Sequence, residues 1–174
     1  MITEYSKRIS MIKAMTLLFV LFTFMSELYA YKEIVVDLSE QRAYAIEDGE
    51  IVFDGPISTG RRGRETPEGQ YTILQKKRRH KSNLWPKPNG GAKMNYMLRL
   101  SNSGIAMHLG YVPKSGPASH GCIRMKNGFA QRMYGWARVG IPVYVEGDIE
   151  DWYAMRNNRR QGYADDGYTI VEGY

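Results

Sequence analysis

The sequence has 174 residues, 43% of them apolar, and carries 24 Lys and Arg against 18 Asp and Glu for a net charge of +6. That length suits a single domain, the apolar share is enough for a core, and 18 Gly with 7 Pro is far from collagen-like or low-complexity composition. The single cysteine, Cys122, excludes an intramolecular disulfide, a C-x-x-C redox pair and a multi-cysteine zinc site.

At the N-terminus Lys7, Arg8 and Lys13 precede an uncharged apolar run from Ala14 to Met25. The run is shorter than the roughly 20 residues a membrane-spanning helix needs. With the small residue Ala30 behind it, it reads as a secretory signal. Tyr29, in Leu28-Tyr29-Ala30, is bulkier than a cleavage site prefers. An uncleaved membrane tether through residues 9–25 therefore stands beside cleavage, and a buried helix of a cytosolic domain stands third. Residues 1–30 are expected to be signal or anchor, 31–147 the functional domain and 148–174 a C-terminal helix and tail. Export places the protein in the periplasm or cell envelope. There a lone thiol is exposed to oxidation, so it is either buried and inert or kept for its reactivity.

From Tyr31 onward the apolar period is two. Strands are predicted over 33–37, 42–47, 50–53, 57–59, 70–74, 96–100, 104–107 and 141–145, with His108 closing the seventh. Asp48-Gly49 supplies a tight hairpin turn and Thr66-Pro-Glu-Gly69 another. Residues 76–93 break the pattern and read as a loop, with a basic cluster over 76–81. That cluster is read as a solvated loop facing an anionic polymer rather than a nucleic-acid site. Trp85 and Tyr96 are candidates to line a groove, with core packing as the default. One helix is predicted after Asn127, its cap, with Phe129, Met133 and Ala137 on one face and Gly140 as its stop. A second is predicted over 148–160, acidic at its start and basic at its end. The fold class is mostly β with one or two helices.

The chemistry concentrates between His108 and Arg124, which hold two of the three histidines and the only cysteine. Nucleophilic chemistry at sulfur needs a thiolate, and an imidazole can take the thiol proton and return it to a leaving amine. His108 at a strand end and Cys122 after a loop suit that pairing. His120 shares a short turn with Cys122, so its direction is open. The N–H groups of Gly121 and Cys122 are candidate oxyanion donors.

This segment, His108 followed by a loop and then Ser119-His-Gly-Cys-Ile-Arg124, resembles the signature of the L,D-transpeptidase (YkuD/ErfK-like) catalytic domain. Gln41-Arg-Ala-Tyr44, Ser58-Thr-Gly60 and Thr66-Pro-Glu-Gly69 resemble that family's early strands and turn, so the likeness runs from about Glu33 to Val145. It implies a mixed-sheet fold, sandwich- or barrel-like, and an exported peptidoglycan enzyme without metal or cofactor. By the resemblance Cys122 is the nucleophile and His108 the proton donor and acceptor, with His120, Gly121 and Ser119 shaping the site. Arg124 is a candidate to grip a substrate carboxylate, with an internal ion pair as the equal alternative. The implied partners are peptidoglycan stem peptides, a donor tetrapeptide and an amine acceptor, with no nucleic acid.

Two departures stand out. Leu109 follows His108 where a small residue is common, which bears on imidazole orientation. The short stretch between the histidines suggests reduced cover over the site. Three rivals remain at this stage: L,D-carboxypeptidase with water as acceptor, a non-catalytic cationic wall-binding domain, and a zinc site on His108, His120 and Cys122.

Overall fold

The computed structural model describes residues 30–87 and 90–165 together with Lys13, Met15 and Thr16, and gives no side-chain description over 84–90 and 159–165. The chain divides into two units, Met1–Tyr31 and Lys32–Tyr174. In the first, Lys13, Met15 and Thr16 are helical. The rest of the apolar run expected to act as signal or tether lies outside the described residues, as do the Trp85 side chain and the tail beyond Asp165. Among the described residues no helix is long and apolar enough to cross a membrane.

The second unit is mostly β. Its strands are β1 (Lys32–Asp37), β2 (Arg42–Glu47), β3 (Glu50–Ser58), β4 (Gly69–Thr72), β5 (Gln75–Lys77), β6 (Lys81–Lys87), β7 (Gly90–Lys93), β8 (Met97–Arg99), β9 (Ala106–Leu109), β10 (Ile123–Met125) and β11 (Pro142–Glu146). Its helices are α1 (Asn127–Trp136) and α2 (Ile149–Asp165). Nine strands form one mixed sheet in the order β4-β11-β1-β2-β3-β10-β9-β8-β5, and β6 with β7 makes a separate hairpin.

Alternation decides which side chains go inward, because successive residues of a strand point to opposite faces. Ile34 lies between Ala45 of β2 and Val143 of β11, and Val36 between Ala43 and Val145. All six are buried, and they belong to the same core as Leu98, Met107, Ile123 and Met125 from the other half of the sheet. The sheet therefore curls so that both halves share one apolar interior. The β2–β3 hairpin turns at Asp48-Gly49, with φ of 53° and 84°, the left-handed pair that a two-residue turn demands.

Helix α1 closes the core with Ala130 and Met133, and Ala137 just beyond it is buried too. Phe129 and Trp136 meet Phe53 edge-on at centroid distances of 6.2 and 5.6 Å, and Trp136 Nε1 donates to Glu47 Oε2 at 2.9 Å. Helix α2 braces the loop before Cys122: the Trp152 ring lies over Gly116, and Arg156 donates to the Lys114 carbonyl at 2.7 Å.

Several expectations are corrected. Of the expected loop over 76–93, residues 76–77 belong to β5, and residues 81–87 pair with 90–93 as a β-hairpin. Pro86 pairs with Gly91 in it, as an edge hairpin tolerates and a central strand does not. The cap of α1 is Lys126, not Asn127, whose Oδ1 instead accepts from Gln131 Nε2 at 2.8 Å. The helix stops at Trp136, before Gly140, because Ala137 turns extended with φ −69° and ψ 151°. Helix α2 opens with Glu150 and Asp151 as expected but runs on to Asp165, leaving no basic residue in its last turn. Lys76 leaves the basic cluster, crossing to the core side to donate to the Ala137 carbonyl and sit 4.6 Å from the Tyr134 ring centre.

Two glycines give opposite expectations. A Cβ at Gly135, in the last turn of α1, meets nothing within 4 Å, so Gly135→Ala should stabilise the domain by about 0.5 kcal/mol. A Cβ at Gly55 falls 2.6 Å from Phe129 Cγ, so Gly55→Ala should destabilise by about 1–3 kcal/mol as the ring is displaced. Urea unfolding of both variants checks the packing of α1 on β3.

Candidate active site

Strands β9 and β10 are parallel neighbours with Met107 opposite Ile123 and His108 opposite Arg124. Met107, Ile123 and Met125 enter the main core. The opposite face therefore carries Ala106 and His108 from β9 and, one residue back along the register, Cys122 beside Arg124 from β10. Cys122 accordingly packs against a second, smaller apolar cluster of Met94, Met97 and Ala106. His108 and Cys122 share one sheet face on adjacent strands.

His108 is buried, and its Nδ1 lies 2.8 Å from the Leu109 carbonyl oxygen. A carbonyl only accepts, so Nδ1 holds the ring proton and Nε2 is the basic nitrogen. Burial, joined by the charges of Arg124 and His80 and opposed by the Leu109 bond, brings its pKa down to about 4. The ring is therefore neutral at physiological pH. Orientation comes from a backbone carbonyl, so the bulk of the Leu109 side chain, which packs on the main core, does not decide it.

Burial pushes the Cys122 thiol up, against the lowering effects of a backbone bond from Ala106 and the charge of Arg124. The thiol donates to the Gly104 carbonyl at 3.7 Å. The resting pair is thus neutral thiol and neutral imidazole. The aliphatic stem of Arg124 lies over Gly110, and Arg124 has no carboxylate partner among the described residues, where the ion pairs are Lys32–Glu47, Arg42–Asp54 and Arg62–Glu150.

The turn carrying the thiol is held from below. Ser119 Oγ donates to the Cys122 carbonyl at 2.5 Å and accepts from the Gly121 N–H at 3.0 Å. Gly121 takes φ +112°, a conformation open to glycine and strained for other residues. Its N–H is engaged by Ser119, so it is not available to an oxyanion in this arrangement, and Cys122 supplies the remaining candidate of the two. Ser119 N and Ala118 N both donate to the Thr59 carbonyl. Thr59 is fixed in turn by Gln41, whose Nε2 donates to Thr59 Oγ1 at 2.7 Å and whose Oε1 accepts from Thr59 N at 3.0 Å. Thr66 Oγ1 accepts from Gly60 N and donates to the Gly121 carbonyl, both at 2.9 Å. Ser58 Oγ bonds Gly116 O and Ala118 N.

The sequence reading put Ser58 and Thr59 in a short extended stretch and Thr66 in a turn, and gave the Gln41 side chain no role. A signal was present: Gln41 continues the inward phase of Ala43 and Ala45, and Thr59 that of Phe53 and Ile57. A polar residue in an inward phase needs a partner. His120 is exposed, and slight burial with the charges of Arg61, Arg64 and Arg124 lowers its pKa. Among the described residues no three His, Cys, Asp or Glu converge as metal ligands, so the zinc reading of His108, His120 and Cys122 lacks its ligand set. Tyr96 packs edge-on to Tyr134 at 5.7 Å and joins the core side rather than a groove.

The sequence matches the YkuD family, described as the L,D-transpeptidase catalytic domain, over residues 31–145. Solved structures agree. An L,D-transpeptidase from Mycobacterium smegmatis is 27% identical with TM-score 0.60, over 67% of this chain and 59% of that one. One from Stackebrandtia nassauensis is 26% identical with TM-score 0.61, over 68% and 56%. L,D-transpeptidase 3 from Mycobacterium tuberculosis, solved with a faropenem-derived adduct, is 25% identical with TM-score 0.58, over 67% and 58%. The matched part spans less than two thirds of each of those proteins. No curated protein sequence matches the chain.

Two outcomes are expected. Thr66→Val keeps the shape but strands the Gly60 N–H and Gly121 carbonyl, and should cost about 1–3 kcal/mol in urea unfolding. Unfolded His108 takes a proton below pH 6.5 while the folded ring resists until about 4. Stability is full above the unfolded value and falls with pH across that window, by a total on the order of 3 kcal/mol. His108→Gln should flatten that part of the stability–pH curve between pH 4 and 7.

Proposed function

The chain belongs to the L,D-transpeptidase catalytic-domain family, and from that premise we propose that it is an exported cysteine-dependent L,D-transpeptidase acting on peptidoglycan stem peptides. The observation that carries this reading is the Nδ1-protonated, neutral His108 on the same sheet face as Cys122.

In the proposed reaction the thiol turns from Gly104 toward Nε2 of His108. Sγ attacks the carbonyl of the third stem residue as its proton passes to Nε2. The tetrahedral oxyanion is met by the Cys122 N–H, while Arg124 offsets negative charge at the sulfur and reacting centre. Collapse breaks the bond to D-Ala, whose amine leaves with the proton from His108, and a thioester remains on Cys122. An acceptor amine then attacks the thioester, gives its proton to Nε2, and the expelled sulfur regains that proton. Water in place of the amine gives L,D-carboxypeptidase activity through the same groups. Ser119, Gly121 and His120 are positioning residues in this scheme. Residues 1–30 serve as export signal or membrane tether, placing the domain in the periplasm or cell envelope.

A base with pKa near 4 has a direct kinetic consequence. Acylation should stay active at pH 5–6, where a histidine of ordinary pKa is largely protonated, and fail as pH falls through about 4. The decisive experiment incubates the protein with disaccharide-tetrapeptide, or with faropenem as a thiol titrant, and follows intact mass. An acyl adduct with D-Ala release, absent in Cys122→Ala and slowed at least about 100-fold in His108→Gln, is expected. A folded protein forming no adduct overturns the enzyme reading in favour of a wall-binding module. Cross-linked dimer marks transpeptidation, and tripeptide alone marks carboxypeptidation.

A further inference from the structure

The face that carries Cys122 continues across two more strands. Arg99 of β8 lies opposite Ala106 of β9 and Gln75 of β5, and Met97 lies opposite Lys77. Leu98, on the alternate phase, enters the main core and Lys76 turns toward α1, which leaves Lys77, Met97 and Arg99 on the thiol's side. These residues line a groove of about 280 Å³ that ends at Gly104 and Ala106, the two residues whose backbones contact the thiol. His80, Ser82 and Asn83, with Met94, form the rest of its wall, at the β6–β7 hairpin.

The groove is charged with one sign. Lys77 and Arg99 line it as cations with His80 beside them, and among the described residues no Asp or Glu lines it. None of the three forms an ion pair with a carboxylate among the described residues. Arg99 uses Nε on the Ser101 carbonyl at 3.0 Å and one terminal nitrogen on Asn102 at 3.3 Å, which fixes the guanidinium and leaves other N–H groups to donate. His80 is lowered by burial and then by Lys77 and Arg99, a sign that the three sit within one another's field. The apolar floor of Met94 and Met97 lowers the local dielectric and strengthens any ion pair made above it.

We propose that this groove is a carboxylate-receiving subsite, in which Arg99 and Lys77 hold a free carboxylate of the peptide substrate while its carbonyl is presented to Cys122. It rests on the transpeptidase reading and adds to it the determinant of substrate charge. Arg99, pre-fixed by two backbone carbonyls, provides the directional contact and Lys77 the point charge. The carboxylate comes from either the donor stem or the acceptor stem, and the two halves of the reaction separate these sources.

The test uses the full chain, disaccharide-tetrapeptide donor, and the same donor with its free carboxylates converted singly to carboxamides. Acylation is followed with donor alone, and resolution by adding acid or amide forms of the acceptor. The wild type should prefer one acid over its amide by about 10- to 100-fold, in acylation if the donor supplies the group and in resolution if the acceptor does. In Lys77→Gln/Arg99→Gln that ratio should collapse toward one, and Arg99→Lys should recover part of it. A role in mere folding moves both rates together and leaves the ratio intact. Equal wild-type rates for acid and amide forms in both steps, or an unchanged ratio in the double variant, overturns the subsite and leaves the enzyme reading standing. No adduct from any donor, with Cys122 still labelled by iodoacetamide, overturns the enzyme reading and the subsite with it.

Discussion

A buried polar scaffold beneath the Ser119–Cys122 turn is the constraint on which the site depends. Of the residues described as buried, those with polar side chains are Gln41, Ser58, Thr59, Thr66, His108 and Ser119. All but His108 join the hydrogen-bond network that leads to this turn, and His108 lies on the neighbouring strand β9. No buried side-chain nitrogen or oxygen among the described residues lacks a partner. Such a network holds only when complete, because one missing partner leaves a desolvated donor or acceptor behind. The links run in series from Gln41 through Thr59 to Ser119, while Thr66 ties Gly60 to Gly121 from the side. The position of the proposed nucleophile is therefore set by the end of β3 and by Gln41, the residue just before β2, far away in sequence.

The electrostatics of the pair follow from burial more than from any partner charge. Desolvation raises the thiol and lowers the imidazole, which favours the state in which neither is charged. The groups named around them, Arg124 and His80, carry only positive charge when ionised, and both depress His108 further while Arg124 eases ionisation of the sulfur. Among the described residues no carboxylate orients the ring. The Leu109 carbonyl does so, and that dipole fixes the tautomer without adding the full negative charge that would favour the imidazolium. In the proposed mechanism the consequence is a neutral base that accepts a proton only as sulfur attacks.

Much of this was legible in the residues. Period-two alternation located most of the main strands, and Asp48-Gly49 marked its turn. The compact group of His108, Ser119, His120, Gly121, Cys122 and Arg124 pointed to thiol chemistry before any fold was known. What was not legible has physical causes. The β6–β7 hairpin is built from Lys, Asn, Pro and Gly, which belong to loops unless an edge tolerates them, so its local signal is that of a loop. The cap of α1 was misplaced because Asn127 satisfies Gln131 within the helix rather than the helix end. The Gly121 N–H looked available because nothing in the sequence says that Ser119 turns its hydroxyl inward. The clamp by Thr66 joins residues 55 positions apart, a relation set by folding and not by local pattern.

The two faces of the β5-β8-β9-β10 region explain why fold and site are specified together. Along these strands one phase, Leu98, Met107, Ile123 and Met125, builds the main core. The other phase carries Lys77, Arg99, His108, Cys122 and Arg124. A slip of one residue in β10 would exchange them, sending the thiol and a guanidinium into the apolar interior and Ile123 to the groove. The cost of burying Arg124 without a partner makes that slip prohibitive. Arg124, opposite His108 in the ladder, therefore also enforces the register that puts Cys122 on the face of His108.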